Sequence, residues 1–260
     1  MFAGVRREED AARLKQEGSE RLRPIGLDVT NEAEVAAAAL EVGEACGGAL
    51  HGLVNNAGIF IPAVIEHTPL DVFRLHYEVN VVGAVAMIQA FLPLLRRARG
   101  RIVNVGSLNG RIGIPVAGAY DATKFALEAI SDVLRAELHP WGIHVSHLDI
   151  GMFSTAVFGK AGPQTRDLAA MLPEETKAVY EPSYRMTLAA LESGPTRGRD
   201  PVIVAKTIAK ALEARRPRTR YRVGSDVRAT HFLRWLLPDR AFDFLVVRMV
   251  PILSKSRSSG

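Results

Sequence analysis

Short apolar runs alternate along the chain with longer stretches in which apolar residues recur every three or four positions. The first pattern predicts strands and the second predicts helices. A short strand is expected to end over 26–29. Asn31 then stands where a helix cap is wanted, and Glu34, three residues on, is its reciprocal partner in a capping box. Beyond the alanine-rich helix that follows, 50–54 predicts a strand, 72–95 a long helix, 101–105 a strand, 119–138 a helix and 143–148 a strand. Strands separated by helices imply a parallel sheet covered on both faces.

From 158 to 200 the pattern loosens. Gly159, Gly162, Pro163, Pro173, Pro182 and Pro195 punctuate it, with one helical piece over 180–191. A long irregular segment inside a compact domain is usually functional, so 156–200 reads as a substrate lid. A helix over 202–214 and a last strand over 221–223 precede an apolar stretch, 229–253, rich in Phe, Leu and Trp. That stretch is expected to pack over the substrate cleft. The whole of 1–260 reads as one domain.

Composition narrows the function classes. Hydrophobic residues make up 48% of the chain, enough for a large buried core. Cys46 is the single cysteine, so no disulfide framework exists and secretion is not indicated. The opening residues are charged rather than apolar, no segment reads as a membrane span, and a cytoplasmic enzyme is the expectation. The net charge is +5, from 33 basic and 28 acidic residues. Arginines cluster at 96–101 and 215–222 but form no longer basic stripe with interleaved aromatics, which argues against a nucleic-acid partner. The seven histidines show no metal-ligand spacing and one cysteine makes no thiolate site, so no metal is expected.

The sharpest local feature is Tyr120-Asp121-Ala122-Thr123-Lys124. Tyr and Lys four apart share a helix face. An ammonium ~4 Å from a phenol is worth up to ~4 kcal/mol at an effective dielectric of 20, enough to lower its pKa by as much as roughly three units. A phenol so tuned passes a proton to or from a substrate oxygen. Alone the pair is a common surface motif, but its neighbours change that. Asn55-Asn56-Ala57-Gly58 follows a predicted strand, Asn80-Val81-Val82-Gly83 lies in the long helix, and Asn104-Val105-Gly106-Ser107 ends the next strand. Gly151 to Thr155 ends another. Open parallel sheets bind ligands at these carboxyl ends.

In this order and spacing the sequence resembles the short-chain dehydrogenase/reductase family, most like its retinol and 17β-hydroxysteroid dehydrogenase branch. The likeness is strong to about Met152 and weaker beyond. It implies a doubly wound, mostly parallel Rossmann-like α/β sheet. It implies a nicotinamide-dependent oxidoreductase acting on a small carbonyl or alcohol, and a homodimer. Asn80, Ser107, Tyr120 and Lys124 match the family's catalytic set. By that match Tyr120 is the general acid or base, Lys124 lowers its pKa and binds the ribose, Ser107 orients the substrate oxygen, and Asn80 supports a water relay. Asp28 and Val29 match adenine contacts, Asn56, Ala57 and Gly58 line the adenosine side, and Gly151 and Thr155 match the carboxamide region. Ile150 stands where the family usually has proline before Gly151, which loosens that turn.

The front of the chain departs further. The family opens with a strand, a Thr-Gly-x-x-x-Gly-x-Gly loop and a helix, and these 260 residues contain no such loop. Residues 2–6 resemble the family's second strand instead. The expectation is therefore a sheet whose first strand and first helix are absent, by roughly 20–30 residues, through a misassigned start, a truncated pseudoenzyme or a fragment. Val5 stands where an acidic residue would favour NAD, and Arg6 follows. An arginine there pairs with a 2′-phosphate, so NADP is expected, with NAD the alternative; equally, Arg6 and Arg7 open a solvated helix. Met152, Phe153, Val157, Phe158, Met171 and Tyr184 are candidates to line an apolar pocket for a lipophilic substrate. Two non-enzyme readings stand beside this one: a cofactor-free binding pseudoenzyme, and a peripheral membrane protein using the apolar tail with Arg234, Arg240 and Arg248.

Overall fold

The structure is a computed structural model and describes residues 1–18 and 21–249. It opens with β1 (Phe2–Val5), α1 (Glu8–Glu17), β2 (Arg23–Gly26) and α2 (Glu32–Ala45). The second strand lies earlier than expected, over 23–26 rather than 26–29. Residues 27–31 instead form the turn into α2, because their polar groups serve that helix start. Asn31 Oδ1 accepts the N–H groups of Ala33 and Glu34 at 3.1 and 3.3 Å. The Glu34 carboxylate reaches back to the Asp28 N–H at 2.7 Å and to the Asn31 amide at 2.7 Å. The capping box is therefore present, with its return bond made three residues further upstream than in the simple form.

After β3 (Gly52–Asn55) come α3 (Leu70–Tyr77) and α4 (Gly83–Ala98), joined by a π-helical turn, Glu78–Val82. The single long helix expected over 72–95 is thus interrupted, and Asn80 lies inside the interruption. The whole run Leu70–Ala98 is 29 residues, long and apolar enough to cross a membrane by length and composition alone, contrary to expectation. Met87, Ile88, Phe91 and Leu95 of this run are buried in the core, as befits a core helix. Next come β4 (Arg101–Val105), α5 (Gly118–Glu137) and β5 (His144–Ile150).

The segment 156–200 is not loose. It folds as α6 (Ala156–Ala170) and α7 (Glu174–Arg197), packed against each other despite their internal prolines. The chain closes with α8 (Val202–Glu213), β6 (Arg220–Val223), α9 (Ser225–Leu236) and α10 (Asp239–Met249). The last residues of the predicted apolar stretch, 250–253, lie outside the described residues.

All strand pairings are parallel, as an alternating α/β chain requires. They form two groups, β1–β2 and β3–β4–β5–β6, with no ladder between β1 and β3. One apolar core nevertheless spans both groups on one face. Ile25 and Leu27 from the first group join Leu53, Ile102 and Val145 from the second, through Val35 and Val42 of α2 and Phe91 and Leu95 of α4.

A line of polar side chains crosses the second group at its carboxyl end. Asn55 Nδ2 donates to Asn104 Oδ1 at 2.8 Å, Asn104 Nδ2 to Ser131 Oγ at 2.9 Å, and Ser131 Oγ lies 3.0 Å from His147 Nδ1. These four residues are buried. They fix β3, β4, β5 and α5 in register. Asn104→Ala leaves the Asn55 amide and the Ser131 hydroxyl each short of a partner, and should cost about 2–4 kcal/mol. Asn31→Ala removes only an exposed cap and should cost about 1 kcal/mol. Urea midpoints at unchanged slope measure both; equal costs would mean that the buried line contributes nothing beyond a local cap.

Candidate functional site

The loops at the carboxyl ends of the strands gather the sequence-predicted residues into two places. The first lies after β3, β4 and on α5. Asn80, 1% exposed, points its amide inward from the π-helical turn. Its Oδ1 accepts the Ile59 N–H at 2.8 Å, and its Nδ2 donates to Ile59 O at 3.1 Å and to Thr123 Oγ1 at 3.0 Å. Thr123 in turn donates to Tyr120 O at 2.7 Å. One amide thus ties the loop after β3 to the first turns of α5.

Gly83, just past the π-helical turn, allows this approach. A Cβ there would come within 2.7 Å of Val29. Val29, expected at the adenine, has its side chain half-buried against this glycine and the core. Asn56, Ala57 and Gly58 are exposed. A Cβ on Gly58 would sit 3.3 Å from Asn80 Oδ1 and 3.8 Å from Lys124 Nζ, so this glycine borders the same hollow as the lysine.

Lys124 is buried, and its Nζ donates to Val105 O at 3.2 Å. It stands 5.5 Å from the Tyr120 ring centroid, over the ring face. The ring packs against Phe60, centroids 4.8 Å apart. The tuning expected of this pair is reversed here. Burial pushes the phenol up to about 12, with the Ser107 hydroxyl drawing it partly back. Burial brings the ammonium down to about 8. The cause is geometric: the ammonium is buried, spent on a carbonyl and lies over the ring face, and the half-buried ring packs against Phe60.

Ser107 follows β4, buried, and its Oγ accepts the Asn109 N–H at 3.2 Å. Asn109 donates to Asp121 Oδ1 at 2.6 Å, and Asp121 Oδ2 accepts the Ile114 N–H at 2.6 Å, so one α5 carboxylate holds the segment between Ser107 and Tyr120. Burial raises that carboxyl to about 7. Within the same segment Val116 has φ +70°, a left-handed conformation that is costly for a β-branched residue. Its side chain is buried with Val64, Leu172 and Tyr184.

The second place lies after β1 and β2. Asp28 accepts from Thr30 N at 2.9 Å and Thr30 Oγ1 at 2.7 Å, which keep its carboxyl below the ordinary range. The positive charge of Arg6 acts on it in the same direction. Arg6 is exposed and has no salt bridge among the described residues, whereas Arg7 pairs with Asp10 at 3.0 Å. On the far side, Gly151 and Thr155 follow β5. Asp226 stands so close to Gly151 that a Cβ would meet it at 2.1 Å, and the same carboxylate accepts the Met152 N–H at 3.1 Å. Thr155 is exposed at the start of α6.

Several expectations need correction. Phe153 lines no pocket: it is 2% exposed and belongs to the core with Val103, Leu148 and Tyr221. Tyr184 is likewise buried, its hydroxyl accepting the Val64 N–H at 3.1 Å. Met152 and Met171 are exposed, Val157 is half-buried, and the Phe158 side chain lies outside what is described.

Sequence spacing also missed a buried cluster beneath Gly106. His147, Asp149 and Glu128 place donor atoms within 4.8 Å of one another, in reach of a common metal ion. They come from β5 and α5, so no local spacing announces them. The Glu128 carboxylate is already taken by Arg111 and Arg220. Burial drives His147 down to about 4 and Asp149 up to about 6. A Cβ on Gly106 would come within 2.1 Å of His147 Nε2, which explains the glycine before Ser107.

A short-chain dehydrogenase family model matches residues 2–166. The short-chain dehydrogenase/reductase family 9C member 7 of Mus musculus is 34% identical over 257 residues, spanning 96% of this chain and 82% of the mouse protein. Retinol dehydrogenase 16 of Homo sapiens is 35% identical over 268 residues, spanning 98% of this chain and 82% of the human protein. Among solved structures, a short-chain dehydrogenase from Streptomyces avermitilis superposes with a TM-score of 0.72 at 27% identity, covering 100% of this chain and 88% of that one. An alcohol dehydrogenase from Thermococcus sibiricus, complexed with 5-hydroxy-NADP, gives 0.54 at 28% identity, over 60% of this chain and 66% of that one. The Rossmann-like parallel sheet, the ordered residues at its carboxyl edge and these likenesses together place the chain in the short-chain dehydrogenase/reductase family of nicotinamide-dependent oxidoreductases.

Proposed function

We propose that this protein interconverts a lipophilic alcohol and its carbonyl with NADP, using Tyr120 as the general acid or base. The observation that carries this is the convergence of Asn80, Gly58, Tyr120 and Lys124 on one hollow, with Ser107 acting on the same phenol. For reduction, a phenol held protonated hands its proton to the carbonyl oxygen while Ser107 orients that oxygen. Lys124, charged below pH about 8, holds the ribose. Asn80 fixes the loop and helix between which this happens. Bound in the hollow, the nicotinamide supplies or accepts the hydride.

The nucleoside half of the cofactor fits the residues present. Gly58 leaves open the space a Cβ would take beside Asn80 and Lys124. Asp28 and Val29 flank the adenine side, and Gly151 and Thr155 the carboxamide side. Arg6, exposed and without a salt bridge among the described residues where Arg7 has one, favours a 2′-phosphate and hence NADP over NAD. The pyrophosphate fits less well. No glycine-rich turn stands ahead of α1 in the sequence, and the sheet is interrupted between β1 and β3, where the family's first strand belongs.

The lipophilic substrate class draws on the retinol and 17-beta-hydroxysteroid dehydrogenases among the relatives and on Phe60 beside Tyr120. The helical pair α6–α7 is the proposed lid of a single domain. It is fastened by Tyr180 to Glu66 and by Thr176 to His67, 3.0 Å apart. The reading includes a homodimer in the cytoplasm, for which Phe125 and Val133 offer exposed apolar contacts on α5.

Three outcomes test this. Tyr120→Phe should abolish carbonyl reduction while leaving NADPH binding intact, and Lys124→Ala should harm both. Turnover in Tyr120→Phe above a few per cent of the parent would remove the phenol from the mechanism. Arg6→Asp should shift the ratio of kcat/KM for NADP over NAD by about tenfold or more toward NAD; an unchanged ratio would put the 2′-phosphate elsewhere. The third outcome concerns the phosphates. Fusing a strand, a glycine-rich turn and a helix ahead of Met1 should raise NADPH affinity by about a hundredfold, since it supplies a helix N-terminus for the pyrophosphate. Equal affinity with and without the fusion, at micromolar strength, would show that the 260 residues hold the phosphates themselves.

A further inference from the structure

Helix α9 carries most of its large apolar residues on the wrong side for an ordinary surface helix, and α10 adds two more to the same exposed set. In α9 the inward positions are Val227, 0% exposed, and His231, 5% exposed. The outward positions are Phe232, Leu233, Trp235 and Leu236, with Trp235 exposed to 79%. In α10 Phe242 is buried, while Phe244 and Val247 face out. Surface helices normally show the reverse pattern, and a contiguous exposed apolar patch on a single chain marks a surface with a partner.

The charges around this patch identify the partner. Two of its carboxylates are already neutralised: Asp226 by Arg199 at 2.5 Å and Asp239 by Arg234 at 2.7 Å. Asp243 is the acidic residue of α10 without a salt bridge among the described residues. Arg228, Arg240 and Arg248 remain as exposed cations. Arg248 lies over the Phe244 ring, 4.6 Å from its centroid, and Arg234 over the Phe242 ring at 5.4 Å. Stems laid on aromatic rings with the charge at the edge are the arrangement of cations that snorkel to a polar boundary. Beyond Met249 the sequence reads Val250-Pro251-Ile252-Leu253, then Lys255 and Arg257, the same apolar-then-basic order. Three exposed arginines against one carboxylate without a salt bridge among the described residues leave this surface with an excess of positive charge. Lipid phosphates complement them.

We propose that α9 and α10 dock this protein on an anionic phospholipid surface. Phe232, Trp235, Leu236 and Phe244 enter the interface, and Arg240 and Arg248 meet the phosphates. Its inner side gives the docking a consequence for the chemistry. His231 donates to Leu108 O at 3.2 Å, so α9 rests on the segment that begins at Ser107. A docked α9 would hold that segment about one helix diameter, roughly 10 Å, from the lipid, where a lipophilic substrate is concentrated. This consequence rests on the oxidoreductase reading; the docking itself does not.

The test is flotation of the full chain with phosphatidylcholine vesicles and with mixed phosphatidylcholine–phosphatidylserine vesicles. The chain should float with the mixed vesicles and do so less as salt is raised. In a Trp141→Phe background, which leaves Trp235 as the one tryptophan, emission should shift to the blue on binding. Phe232→Ser, Trp235→Ser and Phe244→Ser together should lower binding by about tenfold or more. Arg240→Glu with Arg248→Glu should lower binding to the mixed vesicles by a similar factor and leave binding to phosphatidylcholine unchanged. All replaced side chains are exposed, and matching circular dichroism and thermal midpoints check that the variants fold. A chain that stays unbound with mixed vesicles overturns the proposal. So does a triple variant that floats like the parent, and so does a patch-dependent dimer in light scattering that vesicles do not dissolve, which would assign the surface to a second copy.

Discussion

The side-chain amide of Asn80 is the joint on which the candidate site depends. It stands in a π-helical turn and bonds the backbone of Ile59 in both directions and the hydroxyl of Thr123. Those three bonds set the loop after β3 against α5. The extra residue of the π-helical turn is what turns the amide inward. A regular helix over the same span would carry Asn80 on a different bearing, and Ile59 and Thr123 would each lose a partner in a dry site. Buried amides that meet all their partners rigidify a site, and a half-satisfied one is costly. The position of Tyr120 therefore draws on a bond made by its neighbour Thr123 as well as on the contact of its own hydroxyl with Ser107.

Burial and charge compete at the tyrosine, and in this geometry burial wins. An ammonium beside a phenol stabilises the phenolate only if the two charges face each other. Here Lys124 faces the Val105 carbonyl, and the phenol is pushed to about 12. A protonated phenol is the form that carbonyl reduction needs, so the same burial that defeats the expected tuning keeps the acid loaded. The lysine, brought down to about 8, sits near the pH at which it changes charge. In the proposed reading, its hold on a ribose should weaken as pH rises through that value, while the phenol stays protonated.

Local features of this fold were legible in the sequence and non-local ones were not. The strand at 101–105 and the box of Asn31 and Glu34 appear where periodicity and capping place them, because both depend on residues within one turn. The break in the long helix was invisible, since Asn80 is as compatible with an α-helical interior as with a π-helical turn until Ile59 and Thr123 are near. The order of α6–α7 was hidden by prolines at 163, 173 and 182. Propensity reads these as breaks, yet here they sit at a helix start or inside a packed hairpin where neighbouring helices compensate. The cluster of Glu128, His147 and Asp149 joins two elements that only the sheet brings together. Phe153 and Tyr184 were assigned to a pocket on apolar character alone, which cannot separate a lining residue from a core one.

The interruption of the sheet and the inverted face of α9 are two forms of the same constraint. Each is a surface whose chemistry is incomplete without something beside it. Between β1 and β3 there is no ladder among the described residues, and the apolar core shared by α2 and α4 is what joins the two groups. On α9 the incompleteness is one of solvation. The helix cannot rotate to bury Phe232 and Trp235, because Val227 and His231 already fill the inward positions and His231 is tied to Leu108. Among the described residues, the inward bond of His231 to Leu108 leaves that apolar face outward. The bond to Leu108 also joins α9 directly to the segment that begins at Ser107, so the outward face and the candidate site share one backbone contact.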